Sequence, residues 1–128
     1  MRILKLKAFA RWARREGLDD ASLRTAVREM QHGLVDANLG GGLLKKRVAR
    51  PGAGKSGGYR AIVASNQRDR WVFVYGFAKK EREDLDESEL GDLKRAGQTY
   101  LGMSEEAVLM ALGNGELQEI EYGEPQAS

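Results

Sequence analysis

Two apolar, β-branched and aromatic runs, Tyr59 to Ala64 and Trp71 to Phe77, stand on either side of the polar stretch Ser65-Asn-Gln-Arg-Asp-Arg70. That pattern predicts an antiparallel hairpin, and its apolar density places the hairpin at the centre of a sheet. The remaining elements have to fit around it. Leu43 to Ala49 is a third strand, with Leu44 and Val48 pointing one way and Lys45 and Arg47 the other. Met1 to Leu6 is short and apolar at Ile3 and Leu4, which suits an edge strand. Between them the periodicity is helical. Phe9, Trp12 and Ala13 stand at i, i+3 and i+4 with Arg11, Arg14 and Arg15 between them, and Gly17 closes the segment as a C-cap. Asp19 or Asp20 then caps a second helix, in which Leu23, Ala26, Val27, Met30 and Leu34 keep the 3.6-residue spacing. Gly40 to Gly42 break the chain. After Lys79 a capping box at Asp86 and Glu89 opens a helix with Leu90, Leu93, Gly97, Tyr100 and Leu101 on one face. Ser104 caps a last helix, and Leu117 to Tyr122 is a final strand of poor alternation.

The expected fold is therefore mixed α/β (α+β), with an N-terminal helical hairpin packed on a mainly antiparallel sheet and C-terminal helices. One domain is expected over residues 1–128. It divides into a strand and helical hairpin (1–34), a basic sheet (43–82) and an acidic helical tail (83–128).

Charge separates these parts. The net charge is only +2, yet residues 1–82 carry 19 Lys and Arg against 7 Asp and Glu, whereas residues 83–128 carry 2 against 12. A dense single-sign field suits a polyanion, and a solvated face is the plain alternative. With no cysteine, disulfide scaffolds, thiolate metal sites and cysteine nucleophiles are excluded. His32 is the only imidazole and stands beside the glycine that stops its helix, so a helix C-cap is expected there and no metal. Nothing reaches the roughly 18 apolar residues of a membrane span, and no signal-peptide pattern opens the chain. A cytoplasmic protein without membrane contact is the expectation.

Gly54-Lys55-Ser56 resembles a nucleotide-binding P-loop but lacks its first glycine, where Ala49 stands, and a strand rather than a helix follows. Such a glycine-rich loop still suits a phosphate, and a simple hairpin connection is the alternative. The stronger constellation is basic. Lys45, Arg47, Arg50, Lys55, Arg60, Lys79, Lys80 and Arg82 all fall on expected strands or their loops, interleaved with Tyr59, Tyr75 and Phe77. Cations beside rings suit single-stranded RNA, whose phosphates meet Lys and Arg while its bases stack. Core packing is the competing role for the rings, more so for Trp71 and Phe73 than for Tyr59 or Tyr75.

Leu44-Lys-Lys-Arg-Val-Ala-Arg-Pro-Gly-Ala-Gly-Lys-Ser-Gly-Gly-Tyr-Arg60, followed by an apolar strand and Tyr75-Gly-Phe-Ala-Lys-Lys-Glu-Arg82, resembles the RelE toxins of bacterial toxin-antitoxin systems. The likeness is to the HigB-like branch with the KSGGYR loop. It implies a RelE-like fold and a ribosome-dependent mRNA endonuclease (mRNA interferase) that needs no cofactor or metal. In that chemistry a ribose 2′-hydroxyl attacks the adjacent phosphate. The implied partners are mRNA on the ribosome and a cognate helix-turn-helix antitoxin, with operator DNA reached only through the antitoxin. Arg60 matches the family's strand-start arginine. Lys79-Lys-Glu-Arg82 matches its Lys-Arg-Glu-Arg, so Lys80 stands where better-known members have a catalytic arginine. Lys45 and Arg47 match its alternating basic pair. The implied roles are transition-state cations for Arg60 and Lys80, a general base for Lys45 or Lys79, and RNA contacts for Arg50, Lys55, Tyr59, Tyr75, Phe77 and Arg82. The family's tyrosine four residues after the last arginine falls on Asp86, which leaves Tyr75 or Tyr59 to substitute. A non-catalytic module that blocks translation by occupying RNA or ribosome is the alternative.

Overall fold

A computed structural model describes residues 1–49 and 58–121. The chain runs β1 (Arg2–Leu6), α1 (Lys7–Glu16), α2 (Asp20–Gln31), β2 (Ala37–Gly40), β3 (Leu43–Val48), β4 (Tyr59–Ser65), β5 (Arg70–Ala78), α3 (Glu87–Leu101), α4 (Glu105–Asn114) and β6 (Leu117–Ile120). Among the described residues the strands form one sheet in the order β2-β3-β4-β5-β1-β6. Only β1 and β5 run parallel.

The sheet is covered on both faces. On one side α1 and α2 bury Phe9, Ala13, Leu23, Val27 and Met30 against Leu44, Val48, Ala61, Val63, Trp71 and Phe73. On the other side α3 and α4 cover Leu4, Leu43, Ile62, Ala64 and Val72. Each large side chain taken out of water here contributes roughly 1.5–3 kcal/mol. The helix ends follow the sequence signals. Gly17 closes α1 at φ 74°, Asp19 accepts from the Ser22 N–H at N-cap of α2, and Asp86 with Glu89 forms the capping box of α3. His32 is the C-cap of α2 and its Nδ1–H donates to the Arg28 carbonyl at 2.8 Å.

Three expectations need correction. β1 is no edge strand, because β6 pairs with its outer side through Ile3 with Ile120 and Leu6 with Leu117. The glycines at 40–42 do more than break the chain: they turn β2, which periodicity does not reveal, back onto β3, with φ of 85°, 61° and 83°. Leu34 lies past the end of α2 and is exposed rather than core.

One irregularity positions everything that follows. Ile62 pairs with Tyr75 but Val63 pairs with Phe73, so Val74 is an extra residue in β5. Such a bulge shifts the alternation by one. Tyr75 and Phe77 therefore turn to the α3 side, and Gly76 turns to α1, where Trp12 packs against it.

Candidate nucleic-acid interface

Strand register builds the site. On the α3 side, one row across the sheet reads Lys45, Ile62, Tyr75, and the next reads Arg47, Arg60, Phe77. Residues paired this way have Cβ atoms about 4.5–5.5 Å apart. The bulge is what admits Tyr75 and Phe77 to these rows. Beyond the second row β5 ends at Ala78 and the chain turns through Lys79 and Lys80, with the Lys79 N–H donating to the Gly58 carbonyl at 3.0 Å.

Within this cluster the cations are not equivalent. Lys45 Nζ lies 3.0 Å from Asp84, and Arg47 Nε lies 3.2 Å from Asp36. The Arg82 guanidinium donates to both oxygens of Glu89 at 2.8 and 2.5 Å, to the Asp84 carbonyl at 3.1 Å and to the Tyr75 hydroxyl at 3.4 Å. It also lies 5.7 Å from the centre of the Phe77 ring. The Arg82 contact first, and then the Asp86 N–H, hold the Glu89 carboxyl down to about 2. Asp84 is lowered too, by the Leu85 N–H and then by Lys45.

Arg60 differs from all three. It is only 8% exposed, its Nη1 donates to the Tyr59 carbonyl at 3.3 Å, and it has no carboxylate partner among the described residues. Taking a guanidinium out of water without a counter-charge costs several kcal/mol. An anion at this position would offset that cost. Half-buried Lys79 and exposed Lys80 likewise have no ion pair among the described residues.

The structure brings Lys45, Arg47, Arg60, Tyr75, Phe77 and Arg82 to one face, with Lys79 and Lys80 at its end. It does not bring Tyr59 there. That ring is 2% exposed on the opposite face, its hydroxyl donates to Glu16, and the Trp12 ring meets it edge-on at 5.4 Å. Tyr59 is a core residue, because a strand residue adjacent to Arg60 must face the other way. Phe77 is on the expected face but 3% exposed beneath Arg82, so it is floor and not a stacking platform. Arg50 and Lys55 lie outside the described residues.

Sequence reasoning passed over α1. Lys7, Arg11 and Arg14 recur at i, i+4 and i+7 along its outer face, with Arg15 beside them, and all four are exposed. None has an ion pair among the described residues. The spacing was the available signal.

No curated protein matches the chain. The family model described as the RelE toxin of the RelE/RelB toxin-antitoxin system matches residues 1–120, and the chain belongs to the RelE toxin family.

Proposed function

We propose that this toxin cleaves mRNA on the ribosome as a metal-independent endoribonuclease of the HigB-like branch, and that a helix-turn-helix antitoxin holds it inactive. The family already implies a cognate antitoxin as partner. The observation that carries the reading is Arg60, a buried guanidinium without a carboxylate partner among the described residues, set between Arg47 and Phe77 at the sheet end where Lys79 and Lys80 follow. A scissile phosphate seated there gains a fixed cation aimed at the charge that develops as the 2′-oxygen attacks phosphorus. The P–O5′ bond then breaks, giving a 2′,3′-cyclic phosphate, and the leaving 5′-oxygen takes a proton from water to become a 5′-hydroxyl.

Arg60 and Lys80 serve as transition-state cations. For the base, Lys79 is the better candidate. The Lys45 amine is hydrogen-bonded to Asp84 and would have to leave it to take the 2′-hydroxyl proton, whereas Lys79 has no such partner among the described residues. Lys45 and Arg47 then serve as phosphate contacts, released from Asp84 and Asp36 when RNA arrives. Tyr75 is the open ring of the groove.

Arg60→Ala lowers cleavage about 10²–10³-fold, read as loss of new 5′ ends in primer-extension mapping of cellular mRNA, while ribosome co-sedimentation persists. Growth arrest that survives Arg60→Ala without new 5′ ends would replace the nuclease with a blocking module. Expression that harms no cell, with or without the antitoxin, sinks the toxin reading.

A further inference from the structure

A second feature adjoins the groove. β1 pairs with β5 only as far as Phe73, because the chain leaves β1 at Leu6 and enters α1. From Val74 to Phe77 the outer edge of β5 has no backbone partner among the described residues. A cavity of about 370 Å³ lies along that edge, between Trp12 and Arg15 of α1 on one side and Glu81 and Arg82 on the other. It shares Tyr75 and Arg82 with the groove, so the two are continuous.

We propose that this cavity holds an unpaired RNA base next to the cut and favours a base bearing an exocyclic amine; the link to cleavage rests on the nuclease reading above, the binding does not. Three chemistries converge on it. The half-buried ring of Trp12 offers a stacking face, the mode by which single-stranded RNA is held. An open strand edge presents alternating N–H and C=O groups, which match the donor and acceptor edge of a base. Arg15, exposed and without an ion pair among the described residues, supplies a phosphate contact at the mouth, continuing the unpaired basic face of α1. Glu81 sets the preference, since a carboxylate accepts from an amino group and repels the carbonyl that uracil places there.

The chain has two tryptophans, and Trp71 is 1% exposed, so a ligand in the cavity is read by Trp12 emission. Adenosine 5′-monophosphate quenches that emission at millimolar concentration, and uridine 5′-monophosphate binds several-fold more weakly. Arg15→Ala weakens both about tenfold through loss of a charge-assisted hydrogen bond. Glu81→Gln erases the difference between the two nucleotides. On ribosomes, Glu81→Gln redistributes cut sites while Arg60→Ala removes them all. Mononucleotide binding without any cleavage keeps the pocket and discards the nuclease. Two results overturn the proposal: quenching by neither nucleotide, or equal quenching in wild type and Arg15→Ala. It also falls if the β5 edge gains hydrogen-exchange protection only from the antitoxin, which would make it a docking edge for a protein strand.

Discussion

A Cβ built on Gly76 would come within 2.3 Å of the Trp12 ring. That ring also meets Phe9 at 5.5 Å and Tyr59 at 5.4 Å between centres, which leaves only the cavity side toward which it can yield. Gly76→Ala therefore overpacks the α1 side and lowers stability by about 1–3 kcal/mol, read from the shift in denaturant midpoint. An unchanged midpoint would mean that Trp12 moves freely. A second residue acts on the same side. Lys46, 3% exposed, reaches Glu29 of α2 at 2.8 Å, so one residue of the basic run belongs to the core rather than to the basic face. From sequence, Lys46 and Lys45 look alike, and only the alternation of β3 sends one to a helix and the other to the groove. The pairing of Arg82 was illegible for a related reason. Its charge was visible, but the four acceptors that occupy its guanidinium come from Tyr75, Asp84 and Glu89, which no local pattern links to it. It holds the segment after β5 in place.

At the scale of elements, those with a local chemical signature were legible. The capping box of α3, the glycine end of α1 and the β4–β5 hairpin needed no tertiary information. β2 and the interior place of β1 were not legible, because both depend on pairing with strands elsewhere in the sequence. The bulge at Val74 belongs here too. Simple alternation through β5 puts Tyr75 and Phe77 beneath α1, and the extra residue reverses them. The α3 capping box has a consequence in acid. The folded value of Glu89, about 2, lies below its ordinary 4.5, so its pairing stabilises the fold fully above the ordinary value and is lost as pH falls through about 2. Titration of the Glu89 side-chain carboxyl by NMR gives a midpoint near 2, and Arg82→Gln moves it up toward the ordinary value, since the larger of its two causes is gone. The same midpoint in both proteins would show that Arg82 is not the cause. Asp86 is occupied as the N-cap of α3, accepting from the Glu89 N–H at 2.8 Å.

Across the whole molecule, the two charge halves meet at a few points. In the groove Lys45 with Asp84 joins the halves and Arg47 with Asp36 pairs within the basic one, and both tie basic strands to carboxylates from flanking loops. Removing the acidic tail cannot test this screening. α4 and β6 bury Val108, Ala111, Leu117 and Ile120, so the tail is part of the core. The double variant Asp36→Asn with Asp84→Asn leaves the core intact and frees two cations. Its binding to single-stranded RNA away from the ribosome becomes tighter at low salt, with a log–log salt slope steeper by about 1.4, about 0.7 per freed cation. An unchanged slope would mean that the carboxylates do not compete with RNA.

The interior position of β1 also sets a timetable. Ile3 and Leu4 leave the ribosome well before the strands that pair with theirs, at residues 70–73 and 117–120. β3, β4 and β5 follow one another and close early, whereas contacts of such long sequence separation close late. A chain halted before Leu117 keeps an open apolar edge beside β1 and never completes its sheet. Synthesis is thus its own safeguard: a translation event that aborts before β6 releases no finished toxin.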